Sequence, residues 1–161
     1  MSAAEILKPL LTDLEKGDLL VVGVGNSLKA DDGVGSYIAV QGRKRHPDFF
    51  LDAGMVLENY IFKIIQNEKR DVLLVDAAGW GAEPGSMKIL AFSDLAEQGI
   101  STHSLSLRRL GEMLHDFGKK VRVLGIEPAE LGLKEGLTEK VKASADEILA
   151  VLFSALEKAG A

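Results

Sequence analysis

The residues best suited to chemistry are acidic side chains that each follow a predicted strand. Asp32, Asp52 and Asp76 come just past three apolar runs, and His103 lies in a Ser-Thr-His-Ser loop that opens a later helix. The carboxyl ends of parallel strands share one edge of a sheet, where ligands bind. We therefore expect Asp32, Asp76 and His103 to converge there. Two carboxylates and an imidazole suit zinc, nickel, iron or manganese, and the ligand types do not choose among these metals.

Asp32 lies in a glycine-bounded turn after the first predicted strand, and residues 18–35, which contain both, have the sequence DLLVVGVGNSLKADDGVG. Gly-x-Gly followed by a helix is typical of dinucleotide binding, but Leu28 replaces the third glycine. Asp31 and Asp32 would also repel a phosphate at the helix N-terminus. The pair favours a cation site or general acid/base chemistry, although acids in a first helical turn also stabilise the helix dipole.

Each candidate has a structural alternative. Asp52 and Asp76 can bind the backbone amides of a turn, and His103 can cap a helix. Trp80, the only tryptophan, stands in a long glycine-rich loop and is either a core residue or a substrate-facing aromatic. The chemical interpretation gains from the convergence of these residues, not from any one of them.

Nucleophilic catalysis has little support in the sequence. There is no cysteine, and neither Ser36 nor Ser104 lies in a Gly-x-Ser-x-Gly elbow. A pair of carboxylates that share a proton, as in aspartic proteases, is chemically possible for Asp31 or Asp32 with Asp76. Aspartic proteases bring together matched loops from two halves, however, and this chain contains no repeat.

Strands and helices alternate along the chain, which predicts a three-layer α/β/α sandwich of the α/β class. The predicted strands are 19–24, 49–51, 72–75, 87–92 and 121–126. Alternation in the fourth suggests an antiparallel or edge strand. The predicted helices are 1–17, 34–44, 58–66, 105–117 and 138–156. We expect a single domain over residues 1–161, with an N-terminal amphipathic helix at 1–17 and the α/β core at 18–156.

Composition excludes several classes of protein. A net charge of −5 argues against a nucleic-acid surface, which needs a basic stripe. No apolar run is long enough to span a membrane, and the N-terminal residues do not have the pattern of a signal peptide. The absence of cysteine excludes disulfides and thiolate ligands. We expect a soluble intracellular protein in which oxygen and imidazole hold any metal.

Five motifs in order resemble the [NiFe]-hydrogenase maturation endopeptidases. They are GVGNSLKADDGVG, LDAGMVLEN, LLVDAAGWGAEPGSMKIL, STHSLSL and VLGIEPAELGLKEGLTEKV. LEN after LDAG, and IEP after the last strand, are most similar to the HycI-type branch that serves hydrogenase 3. The resemblance runs from residue 19 to residue 152.

The resemblance implies a cytoplasmic protease with a twisted five-stranded sheet, mostly parallel. Its substrate would be the precursor of the hydrogenase large subunit, from which it removes a C-terminal extension after nickel insertion. The nickel would be carried by the precursor. A divalent metal such as zinc bound directly to the protease, and help from a hydrogenase assembly chaperone, are left open.

The resemblance also assigns residues. It gives metal binding to Asp32, Asp76 and His103, and matches Asp52 to the acid of a Asp-Gly-Gly-Thr-like loop, so that all four are candidate catalytic residues. Another branch of the family has Glu in place of Asp32. Three mechanisms remain open: recognition of nickel in the substrate, activation of water by a metal, and general-base catalysis by an aspartate.

Overall fold

In this computed structural model, residues 1–91 and 104–161 are described. The strands are β1 Leu19–Val24, β2 Phe50–Gly54, β3 Asp71–Ala77, β4 Met87–Leu90 and β5 Lys120–Ile126. The α-helices are α1 Ala3–Glu15, α2 Val34–Arg45, α3 Ile61–Gln66, α4 Ser104–Asp116 and α5 Glu139–Lys158. Short 3-10 helices cover Ala30–Gly33 and Leu57–Tyr60.

The five strands form one sheet in the order β2-β1-β3-β5-β4. All neighbouring pairs are parallel except β4 and β5, which are antiparallel. The predicted mostly parallel α/β sandwich and the antiparallel edge strand are therefore confirmed. The carboxyl ends of β1, β2, β3 and β5 lie along the same edge of the sheet.

Apolar clusters cover both faces of the sheet. On one face, Val21 and Val75 belong to a cluster with residues of α1, α2 and α5. On the other, Val22 and Leu74 pack with residues of α3 and α4. The central strands are buried on both faces, which explains their nearly continuous apolar sequences.

Helix α1 forms as predicted although it contains Pro9, a residue that disfavours the interior of a helix. Its apolar face is buried through Ala3, Leu7, Leu10 and Leu14. Burial of a leucine side chain contributes about 1.5–3 kcal/mol, so three leucines outweigh the roughly 3 kcal/mol cost of an interior proline. Helix α1 packs on α5 and β4. The division into residues 1–17 and 18–156 stays a prediction.

Some predicted boundaries were wrong in ways that matter for the site. Strand β2 continues through Asp52 to Gly54, and β3 continues through Asp76 to Ala77. Both acids lie within strands because the backbone pairing continues, with Asp52 opposite Gly23 and Asp76 opposite Gly125. The predicted helix 58–66 divides into a 3-10 helix and α3.

The start of α2 lies against the sheet with no room for a side chain. A Cβ atom on Gly35 would come within 2.1 Å of the carbonyl oxygen of Val75 and 2.4 Å of that of Val24. This close approach fixes the turn between β1 and α2 on the carboxyl edge of the sheet.

Among the helices that the structure describes, none is long and apolar enough to cross a membrane.

Candidate active site

The turn after β1 positions Asp32. Its side chain is only 3% exposed, and Oδ2 accepts a 3.1 Å hydrogen bond from the backbone N–H of Asn26. The same N–H lies 3.3 Å from the carbonyl oxygen of Asp32. Gly25 is required here because its φ is 151° and a Cβ atom would lie 2.0 Å from the Asp32 carbonyl oxygen. The glycines of the motif thus fold the turn tightly around Asp32.

Asp76 is completely buried within β3. Its Oδ1 accepts a 2.9 Å hydrogen bond from the N–H of Ala77. The 3-10 helix that carries Asp32 lies against β3. Asp32, in the 3-10 helix that follows β1, and Asp76, near the end of the neighbouring strand β3, therefore both lie at the carboxyl edge of the sheet, as the sequence predicts. Buried carboxylates in such a position are candidates for chemistry.

Asp52 is half-buried and is held by α2. Its Oδ1 accepts a 2.7 Å hydrogen bond from Ser36 Oγ and a 3.0 Å bond from the N–H of Gly54. Side chains alternate between the faces of a strand, and Phe50 belongs to the apolar cluster on the α2 face. Asp52 thus also points toward α2, whereas Asp76 shares the face of Leu74, which packs with α3 and α4.

The predicted metal-binding set is only partly described. His103 lies outside the described residues, and among the described residues no three His, Asp or Glu side chains are grouped to hold a metal ion. Asp32 and Asp76 are two buried oxygen donors of the kind that suit a divalent cation. The complete set of Asp32, Asp76 and His103 stays a prediction.

Asp31 does not share a site with its neighbour. Its buried carboxylate accepts four hydrogen bonds from the segment between β5 and α5. The donors are the N–H groups of Ala129, Glu130 and Thr138 and the hydroxyl of Thr138. This network gives Asp31 a structural role that the sequence does not reveal, because its partners lie about a hundred residues away.

Glu127 is a buried acid that the sequence analysis did not select. It directly follows β5, is 6% exposed, and its Oε2 accepts a 3.0 Å hydrogen bond from the N–H of Trp80. Its own N–H and carbonyl oxygen bind Ser86 and Gly85. These hydrogen bonds of Glu127 hold the glycine-rich loop after β3 against the end of β5. Like Asp52 and Asp76, Glu127 follows an apolar run in the sequence, and this position would have allowed it to be predicted as a site residue.

Trp80 packs at the edge of the apolar cluster on the α3 and α4 face, with Lys88 Nζ 5.7 Å from the centre of its ring. The position is half-buried. This packing supports the core interpretation of Trp80.

A groove of about 720 Å³ opens beside the turn, with Asp52 and Ser36 in its lining. Leu28, Val40 and Met55 also line it, and their side chains are 55%, 40% and 57% exposed. Clustered exposed apolar residues mark surfaces that bind other molecules. The groove thus joins an apolar surface to one of the candidate catalytic carboxylates.

A small polar network borders this groove. Tyr37 donates a 2.7 Å hydrogen bond to Asp146 Oδ1, and Lys142 Nζ donates a 2.9 Å bond to Asp146 Oδ2. Burial and the bond to Asp146 raise the pKa of Tyr37, and the bonds from Tyr37 and Lys142 lower the pKa of Asp146. The tyrosine is therefore a neutral donor and the aspartate an anion at neutral pH.

Comparison with known proteins identifies the family of this chain. The model of the HycI hydrogenase maturation protease family matches residues 35–155. The hydrogenase 3 maturation protease of Escherichia coli K12 is 30% identical over 128 residues, which cover 78% of this chain and 82% of the relative.

Two solved structures share the fold of this chain. The [NiFe] hydrogenase maturation protease HycI from Thermococcus kodakarensis superposes with a TM-score of 0.80 at 27% identity, covering 92% of this chain and 99% of that one. The hydrogenase-maturating endopeptidase HybD of Escherichia coli gives a TM-score of 0.72 at 27% identity, covering 88% and 93%. The chain therefore belongs to the hydrogenase maturation protease family and is a peptide hydrolase.

Proposed function

We propose that this enzyme removes the C-terminal extension from the nickel-loaded precursor of a [NiFe]-hydrogenase large subunit. The observation that carries the proposal is the placement of two buried carboxylates, Asp32 and Asp76, on one edge of a fold that belongs to the maturation proteases. The names of the relatives point to hydrogenase precursors as the class of substrate.

In this proposal Asp32, Asp76 and His103 contact the nickel that the precursor carries. A buried carboxylate interacts strongly with a cation because little water screens the charge. Binding energy is then available only from a precursor that has received its metal, and the bound metal aligns the scissile peptide bond. Specificity arises because the correctly loaded substrate completes the site.

Asp52 has a separate role in this proposal, because it lies on the α2 face of the sheet and lines the groove. The groove that contains Asp52 accommodates the peptide of the precursor near the scissile bond, with Leu28 and Met55 contacting its apolar side chains. Ser36 holds the Asp52 carboxylate in place, so that it can accept a proton or a hydrogen bond from the reacting groups.

The same donors also fit a resident divalent metal such as zinc, held by Asp32, Asp76 and His103. Such a metal would supply Lewis-acid activation of the scissile carbonyl. The proposal places the enzyme in the cytoplasm with the precursor as its partner, and includes an assembly chaperone that presents the precursor.

A cleavage assay tests the proposed function. Purified enzyme is incubated with nickel-loaded and nickel-free precursor, and loss of the extension is followed by gel mobility and mass spectrometry. We expect cleavage of the loaded form only, and no cleavage by Asp32→Asn or His103→Ala. Asp48→Asn, which changes an exposed carboxylate near the start of β2, is the matched control and should retain activity. Cleavage of neither form, or of both forms equally, would overturn the proposal.

A further inference from the structure

The turn that carries Asp32 is held from outside by the segment between β5 and α5. Backbone hydrogen bonds join Ala30 N–H to the Lys134 carbonyl at 2.7 Å, Lys134 N–H to the Leu28 carbonyl at 3.0 Å, and Asp31 N–H to the Glu130 carbonyl at 3.0 Å. The pairing fixes the turn directly before Asp32.

The Asp31 carboxylate completes this attachment. Oδ2 accepts hydrogen bonds from Ala129 N–H, Glu130 N–H and Thr138 Oγ at 2.9, 3.1 and 2.8 Å, and Oδ1 accepts one from Thr138 N–H at 2.8 Å. All four partners are donors. A carboxylate accepts from all of them, whereas an amide in its place would turn its own N–H donors toward at least one backbone N–H donor.

The attachment holds a strained backbone. Ala30 is the one non-glycine residue with a positive φ, 48°, among the described residues. The left-handed conformation is unfavourable for a residue with a Cβ atom, so it persists only where the surroundings enforce it. Here the surroundings are the bonds to residues 129–138, and the strained residue lies two positions before Asp32.

We propose that Asp31 is a positioning residue for Asp32: its carboxylate holds the strained turn on the segment 129–138 and so aims the neighbouring carboxylate at the substrate. This inference rests on the proposed function for its catalytic consequence. Its structural content, the ordering of the turn by Asp31, does not depend on that function.

The test uses Asp31→Asn in the full chain. We expect kcat/KM for the nickel-loaded precursor to fall by about 10- to 100-fold, as for other residues that orient a metal-contacting group. The assay is run at a temperature at which circular dichroism shows the variant to be folded. Thr138→Val, which removes one of the four donors, should give a smaller loss in the same direction.

A control separates positioning from general stability. Ile148→Ala removes a buried side chain of α5 away from the turn and should lower Tm, while kcat/KM of the folded enzyme stays unchanged. If Ile148→Ala, or another core variant with an equal loss of Tm, reduces kcat/KM as much as Asp31→Asn does, the positioning role is overturned.

Amide hydrogen exchange supplies a readout that does not require activity. Asp31→Asn should increase exchange at Asn26 and Ala30, whose N–H groups donate within the turn and to Lys134, with no change in β3. Unchanged exchange in the turn overturns the inference. If the wild type does not cleave the precursor, the proposed function fails, and the exchange result alone then decides the role of Asp31. If Asp31→Asn does not fold, Thr138→Val decides in both measurements.

Discussion

Asp52 and Asp76 lie near the same edge of the central sheet but on its opposite faces. Asp52 is bound to Ser36 of α2, and Asp76 shares the face that packs with α3 and α4. Side-chain alternation along two strands of one sheet enforces the separation. The two acids therefore cannot act as one carboxyl pair, and we expect them to differ when each is replaced.

The first prediction concerns this division. Under the proposed function, Asp76→Asn removes one of three contacts to the nickel of the precursor, and it should raise the Kd for the nickel-loaded precursor toward that for the nickel-free form. Asp52→Asn should preserve the preference for the loaded form and lower kcat, by about 100-fold or more if it transfers a proton. Binding assays with both precursor forms, combined with single-turnover cleavage, distinguish the two. Equal losses of metal preference in both variants would contradict the division.

The second prediction concerns the groove. Met55→Glu should raise KM for the precursor about tenfold or more, since burying a methionine side chain is worth about 1.5–3 kcal/mol. The matched control is Phe62→Glu, which changes an apolar side chain that is 70% exposed on α3 and does not line the groove. Steady-state kinetics over a range of precursor concentrations measures both. An equal KM in the two variants would place peptide binding elsewhere.

The third prediction concerns the close approach of α2 to the sheet. Gly35→Ala should lower the free energy of unfolding by about 3 kcal/mol or more, because the new methyl group meets backbone oxygens that cannot move independently. It should also displace the turn that carries Asp32. Gly132→Ala is the control: its nearest neighbour is 3.8 Å away, and the change should stay within about 1 kcal/mol. Urea unfolding of both variants measures the difference.

Much of this site follows from strand patterns. The apolar run before Asp32 and the one before Asp76 place both acids at the carboxyl edge, and the structure agrees. The face of Asp52 does not follow from the sequence, because β2 continues past its three apolar residues through pairing with β1 and contains an irregularity opposite Gly23 and Val24. The role of Asp31 depends on the distant segment 129–138. Such tertiary contacts leave no local pattern to read.

The fourth prediction concerns pH. Asp13 of α1 and Asp71 of β3 both approach Arg122, with Oδ2 atoms 3.0 and 3.5 Å from its guanidinium nitrogen. Burial, followed by the hydrogen bond with Asp13, raises the pKa of Asp71 from 3.8 to about 6. The hydrogen bond with Asp71 is the main cause that lowers the pKa of Asp13. Below about pH 6 the pair therefore holds one proton, on Asp71, where α1 meets the sheet.

The sign of the effect follows from proton binding. Between pH 3.8 and about pH 6, Asp71 keeps its proton in the folded protein and loses it in the unfolded chain. Its contribution to the free energy of unfolding is therefore complete below pH 3.8 and is lost as the pH rises through about 6. We expect the free energy of unfolding to fall between pH 4 and pH 6 more steeply in the wild type than in Asp71→Asn, which imitates the protonated form. Asp48→Asn should keep the wild-type slope. Equal slopes in wild type and Asp71→Asn would show that the proton on Asp71 does not stabilise the attachment of α1.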